Sequence, residues 1–127
     1  MNWIDQSILE FGNSIGIASL RFDADGALRL GTESGGAIEL HYQREFDPPV
    51  VLAMVSEPAG FSRSARLRAA MRLANFRRQP ALSLHVALDG DQLVLATRLD
   101  ERSFSQPALE STLDLLDRLH QQAADGQ

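Results

Sequence analysis

The sequence predicts an α+β fold: a twisted antiparallel β-sheet of five to six strands with three helices, in the order α-β-β-β-α-β-β-α, and dimeric. Three observations predict it. Ile4, Ile8, Phe11 and Ile15 recur at helical spacing, Leu82, Leu84, Val86 and Leu88 alternate as in a strand, and a closing leucine-rich stretch returns to helical spacing. Its 127 residues suffice for one domain with one modest core, and 44% apolar content suits a globular chain.

The first helix opens at Asn2, a good cap, with Asp5 three residues on as a capping-box-like partner. Gly16 stops it. Extended segments are predicted over Ser19–Phe22, Ala27–Gly31 and Ala37–Gln43, separated by Asp25-Gly26 and Gly35-Gly36 turns. Leu28, Leu30, Ile38, Leu40 and Tyr42 point inward; Arg29, Glu39 and His41 point outward. Pro48-Pro49 precedes a continuous apolar run, Val50–Val55, which reads as a strand buried on both faces.

A second helix is predicted from Ser62 to Arg78. Its apolar residues occupy two sides: Leu67, Met71 and Ala74 on one, Ala69, Leu73 and Phe76 well round the cylinder. So small a domain cannot bury both sides itself, so one side is expected against a second subunit. Ala81–Leu88 and Gln92–Leu99 form a hairpin about Asp89-Gly90-Asp91. Ser105 or Gln106 caps the last helix, with Pro107 in its first turn. Leu109, Leu113, Leu116 and His120 define its face, and the polar tail 121–127 is expected to fray.

Composition excludes several functions. There is no cysteine, hence no disulfide, thiol catalysis or cysteine-ligated zinc. No apolar run reaches the roughly 20 residues of a membrane span. The start carries Asp5 and Glu10 without a basic region, unlike a secretory signal, and a cytoplasmic protein is expected. Of the three histidines, none has a second histidine or a cysteine two to four residues on, and no metal site is expected. No phosphate-binding glycine loop with a lysine exists, and no cofactor is expected. Gly12-Asn13-Ser14-Ile15-Gly16 matches the nucleophile-elbow pattern, but it ends a helix instead of joining strand to helix. No catalytic residue is assigned.

Charge is unevenly placed. All twelve basic residues are arginine, and six (Arg63, Arg66, Arg68, Arg72, Arg77, Arg78) lie between Ser62 and Gln79, where no acid occurs. That segment is +6 and the remainder, with six arginines and seventeen acids, is −11. Helix 62–78 could bind nucleic acid as a small regulatory module. Only one aromatic residue, Phe76, lies among the arginines, which favours a solvated or interface face instead.

The chain resembles the class I type III secretion chaperones, including the Tir chaperone group, over nearly its whole length. The likeness lies in size, acidity, element order and the run Leu67-Arg68-Ala69-Ala70-Met71-Arg72-Leu73-Ala74-Asn75-Phe76, whose Ala74-Asn75 looks like the family's recurring pair. Trp3-Ile4-Asp5 and Leu99-Asp100-Glu101-Arg102-Ser103 are more similar to the SycN subgroup, whose members serve the gatekeeper protein. The resemblance implies a non-enzymatic dimer that binds the N-terminal segment of a secreted effector or gatekeeper protein in extended form. Its partner subunit would be a second copy or a second small chaperone. It implies an effector-binding patch, placed here on Trp3, Ile4, Ile8, Phe11, Leu28, Leu30 and Leu95. Dimerisation is expected through Leu67, Met71, Leu73 and Phe76.

Overall fold

A computed structural model describes residues 3–74 and 84–125. Helix α1 (Trp3–Ser14) is followed by strands β1 (Ala27–Gly31), β2 (Ala37–Gln43) and β3 (Val50–Pro58), then by helix α2 (Arg63–Leu73). Strands β4 (His85–Asp89) and β5 (Gln92–Asp100) and helix α3 (Gln106–Asp125) complete the order, with 3₁₀ turns before α2 and α3. The predicted order α-β-β-β-α-β-β-α is the observed one, with five strands among the described residues.

The sheet runs β1-β2-β3-β5-β4, antiparallel throughout, so β1 and β4 are its edges. Register decides which side chains meet. Leu40 lies opposite Ala53, and Val55 opposite Leu95, all on the face that the helices cover. Ile4, Ile8 and Phe11 of α1, Ala69 and Ala70 of α2, and Leu109, Leu113, Leu116 and Leu119 of α3 close that core. A fully buried leucine or isoleucine contributes about 1.5–3 kcal/mol relative to exposure, so α1 and α3 are held by their apolar stripes.

Among the described residues, the other face carries no helix. Leu52 and Met54 of β3 point there and are half-buried, so the apolar run is not covered on both faces within one chain. The hairpin forms with Gly90, at φ 62°, in the first central turn position, where a side chain would be strained.

Ser105 Oγ accepts the Ala108 N–H at 3.1 Å and caps α3. The expected fraying of 121–127 is corrected over most of that tail: α3 continues to Asp125 because Ala123 extends the leucine stripe and is fully buried. Gly16 ends α1 as expected, at φ 83°, but this puts Ile15 beyond the helix and 47% exposed, off the stripe assigned to it. The expected strand Ser19–Phe22 forms no ladder among the described residues: Ser19 turns the chain at φ 61°, and residues 20–22 make no main-chain pairing. Asp23 then accepts the N–H groups of Asp25 and Ala27 at 2.8 and 2.9 Å, fixing the turn into β1. Asn2, Asn75, Phe76, Arg77, Arg78 and residues 79–83 of the sequence expectations lie outside the described residues.

Candidate cargo and dimer surfaces

The residues expected to form the binding patch divide sharply. Ile4, Ile8, Phe11, Leu28 and Leu95 are buried, in one continuous core. The stripe that makes α1 amphipathic turns toward the sheet, and Leu28 and Leu95 point to the same face. They are packing residues in this conformation, so they do not form a surface patch. Phe11 and Leu28 keep only an edge at a cleft. Trp3, by contrast, is 49% exposed, and Leu30 is half-buried.

The structure brings other residues together beside β1. Leu20, Arg21 and Phe22 form a ridge between two open clefts. One, of about 610 Å³, reaches Ala27, Leu28 and Arg29 of β1 and Glu39 and His41 of β2. The other, of about 480 Å³, lies against Asp5 and Leu9 of α1 and includes Arg44. Phe22 is itself buried, its ring 5.7 Å from that of Tyr42. Among the described residues, the main-chain N–H and C=O groups of Leu20, Arg21 and Phe22 pair with no other main chain. An irregular segment with open hydrogen-bonding groups between hollows that each offer apolar side chains can accept an extended peptide. The sequence signal was the Leu20/Phe22 alternation, read there as a strand.

A second surface lies at the opposite edge. Met71 of α2 is 59% exposed, and Leu67 and Leu73 pack on the core but remain half-buried. Leu84, Val86 and Leu88 are likewise only partly covered, along edge strand β4. Phe76 lies outside the described residues. Arg66 donates to the Pro58 carbonyl at 2.7 Å, whereas Arg68 and Arg72 are exposed. Among the described residues, no carboxylate lies within 4 Å of Arg63, Arg66, Arg68 or Arg72.

The elbow-like pattern is spent structurally. Ser14 Oγ lies 2.7 Å from the Phe11 carbonyl and 2.9 Å from Glu110 Oε1 at the end of α1. Among the described residues, no histidine is hydrogen-bonded to it. His120 Nε2 is 2.6 Å from the Val55 carbonyl, His41 stands 3.4 Å from Glu39, and His85 is exposed. Burial of His120 holds its pKa below the ordinary 6.5, outweighing the Val55 bond and the nearby Glu57 and Asp117 carboxylates. Among the described residues, no group of three histidine, aspartate or glutamate side chains could hold a metal. No helix is long and apolar enough to cross a membrane among them.

The model of the family "Type III secretory system chaperone SycN" matches residues 3–124. The chain belongs to that family. This SycN-family chain matches no curated protein sequence. It is similar in fold to the solved ExsC–ExsE complex, with TM-score 0.71 and 21% identity over 91% of this chain and 87% of that one. It is also similar to the Yersinia pestis type III secretion chaperone SycH, solved with a stable fragment of YscM2. There the TM-score is 0.70 and the identity 19%, over 94% and 98% of the two chains. The HopA1–SchA chaperone–effector complex gives a TM-score of 0.67 and 16% identity, covering 96% and 94%. The α+β architecture is thus that of the solved chaperones. The nucleic-acid reading of the arginine helix finds no support in the family match.

Proposed function

We propose that this SycN-family chaperone works in the cytoplasm as a non-enzymatic holder of the N-terminal segment of a secreted effector or gatekeeper protein. The observation that carries this reading is the ridge Leu20–Phe22, with unpaired main chain and an open cleft of mixed apolar and charged lining on each side. The family match and the solved complexes of similar folds with ExsE, a YscM2 fragment and HopA1 support it. An extended cargo segment would exchange main-chain bonds with the ridge and the free edge of β1. Its alternate side chains would enter the two clefts. Each main-chain bond contributes about 0.5–1.5 kcal/mol net, and each anchored apolar side chain about 1.5–3 kcal/mol. Several such contacts hold a segment unfolded without nucleotide or cofactor.

In the same reading, dimerisation uses Met71, Leu67 and Leu73 of α2 with the edge of β4, where the core is incomplete. The second subunit is another copy or a different small chaperone. The test is capture of the tagged protein from its own cells with secretion blocked. A single secreted protein is expected, released when its N-terminal segment is deleted. Retention of nucleic acid alone, or cargo held equally well without that segment, contradicts the reading.

A further inference from the structure

We propose that Arg21 and Arg44 make the cleft between α1 and the Leu20–Phe22 ridge selective for a cargo segment that carries a carboxylate beside its apolar anchor. This rests on the cargo-binding reading and adds a sequence preference to it. Leu9, Leu20 and Phe22 give the cleft its apolar lining, and Arg21 and Arg44 line it together with Asp5 and Ser19. Both arginines are exposed, and among the described residues no carboxylate lies within 4 Å of either. Asp5, which shares the cleft, pairs with neither. Arg44 is held in place: its guanidinium carbon lies 4.9 Å above the Tyr42 ring, which in turn lies against Phe22.

Charge elsewhere sharpens the choice. The chain is −5 overall, so an acidic segment is repelled by most of its surface and attracted at few places. The cleft on the other flank of α1 has the opposite sign. There Phe11, Ile15, Ile38 and Leu113 are rimmed by Glu110 and Asp114. An apolar residue fits either hollow, but one with an adjacent carboxylate is favoured at the arginine side and disfavoured at the other. Attraction at one cleft with repulsion at its counterpart fixes the register of an otherwise slippery apolar segment. An arginine can grip a carboxylate with two parallel N–H donors, which makes the contact directional.

The test uses the full chain and fluorescein-labelled apolar peptides of one sequence, differing only in Glu, Gln or Lys beside a central Phe. Anisotropy titrations at low and high salt give the affinities. The Glu peptide is expected to bind about fivefold to tenfold more tightly than the Lys peptide at low salt, with the gap narrowing at high salt. In the double variant Arg21→Glu, Arg44→Glu the order of the Glu and Lys peptides is expected to invert, with an unchanged far-ultraviolet circular dichroism spectrum showing that the variant is folded. Equal affinities for the three peptides, or an unchanged order in the variant, overturn the charge preference and leave the docking site standing. Failure of all three peptides to bind overturns the docking site and the preference together.

Discussion

His120 Nε2 lies 2.6 Å from the carbonyl oxygen of Val55, joining α3 to the centre of the sheet from a side chain that is almost wholly buried. In that bond Nε2–H donates, which leaves Nδ1 as an unprotonated acceptor, buried without a partner. Protonation would place a cation there, facing Glu57 of β3, Arg66 of α2 and Asp117 of α3. Burial costs the charged form more than the two carboxylates return.

The consequence is a pH dependence with a defined sign. The folded-state pKa of His120 is lowered from 6.5, so the unfolded chain takes up the proton first as pH falls. Its contribution is complete above about 6.5 and is lost progressively below that value. Urea unfolding at pH 7.5 and 5.5 should show lower stability at the acid pH. His120→Leu should flatten the difference. An equal loss in the variant would assign the dependence to other groups.

Burial and exposure on α1 make separate predictions. Ile8→Ala empties a fully buried site and should cost about 2–5 kcal/mol of stability. Trp3→Ala, at a half-exposed position, should stay within about 0.5 kcal/mol. Chemical denaturation of the two variants checks this directly. A comparable cost at both sites would contradict the core described above.

Gly12 offers a test in which local and tertiary effects have opposite signs. In a helix interior, glycine to alanine normally stabilises by about 0.5–1 kcal/mol. Here a Cβ would fall 2.5 Å from Leu20 Cβ and 2.7 Å from the Ile17 carbonyl oxygen, so Gly12→Ala must displace the segment that forms the ridge. The variant should be destabilised by about 1–3 kcal/mol and retain cargo poorly. A stabilised variant with normal capture would mean that α1 and the ridge do not approach so closely.

The α2 surface predicts a change in assembly without a change in fold. Met71 is largely exposed in the single chain, so Met71→Asp should leave monomer stability within about 0.5 kcal/mol. The same substitution should abolish the dimer, because it puts a charge into an apolar contact. Sedimentation velocity distinguishes the two species. A dimer that survives Met71→Asp places the interface elsewhere.

Much of this fold was legible in the sequence because its strands alternate against one covered face. The bounds of β1 and β2 follow from Leu28/Leu30 and Ile38/Leu40/Tyr42 between glycine-marked turns. Leu20-Arg21-Phe22 alternates just as well, yet forms no ladder, since periodicity does not say whether a neighbouring strand is available. The end of α3 was misjudged because Gln121 and Gln122 look like a tail, while Ala123 alone carries the stripe onward. The binding patch was assigned to Ile4, Ile8 and Phe11, although the spacing that makes them a stripe also sends them into the core. Arg21 and Arg44 could not be paired from sequence, because only the tertiary fold brings the loop after β2 to the segment after α1.

Hydrogen–deuterium exchange of the chain alone and with its captured cargo tests the docking site most directly. The main-chain amides of Leu20–Phe22 and of β1, Ala27–Gly31, are expected to gain protection when cargo binds. Protection confined to other segments, with these amides exchanging as in the free protein, would contradict it.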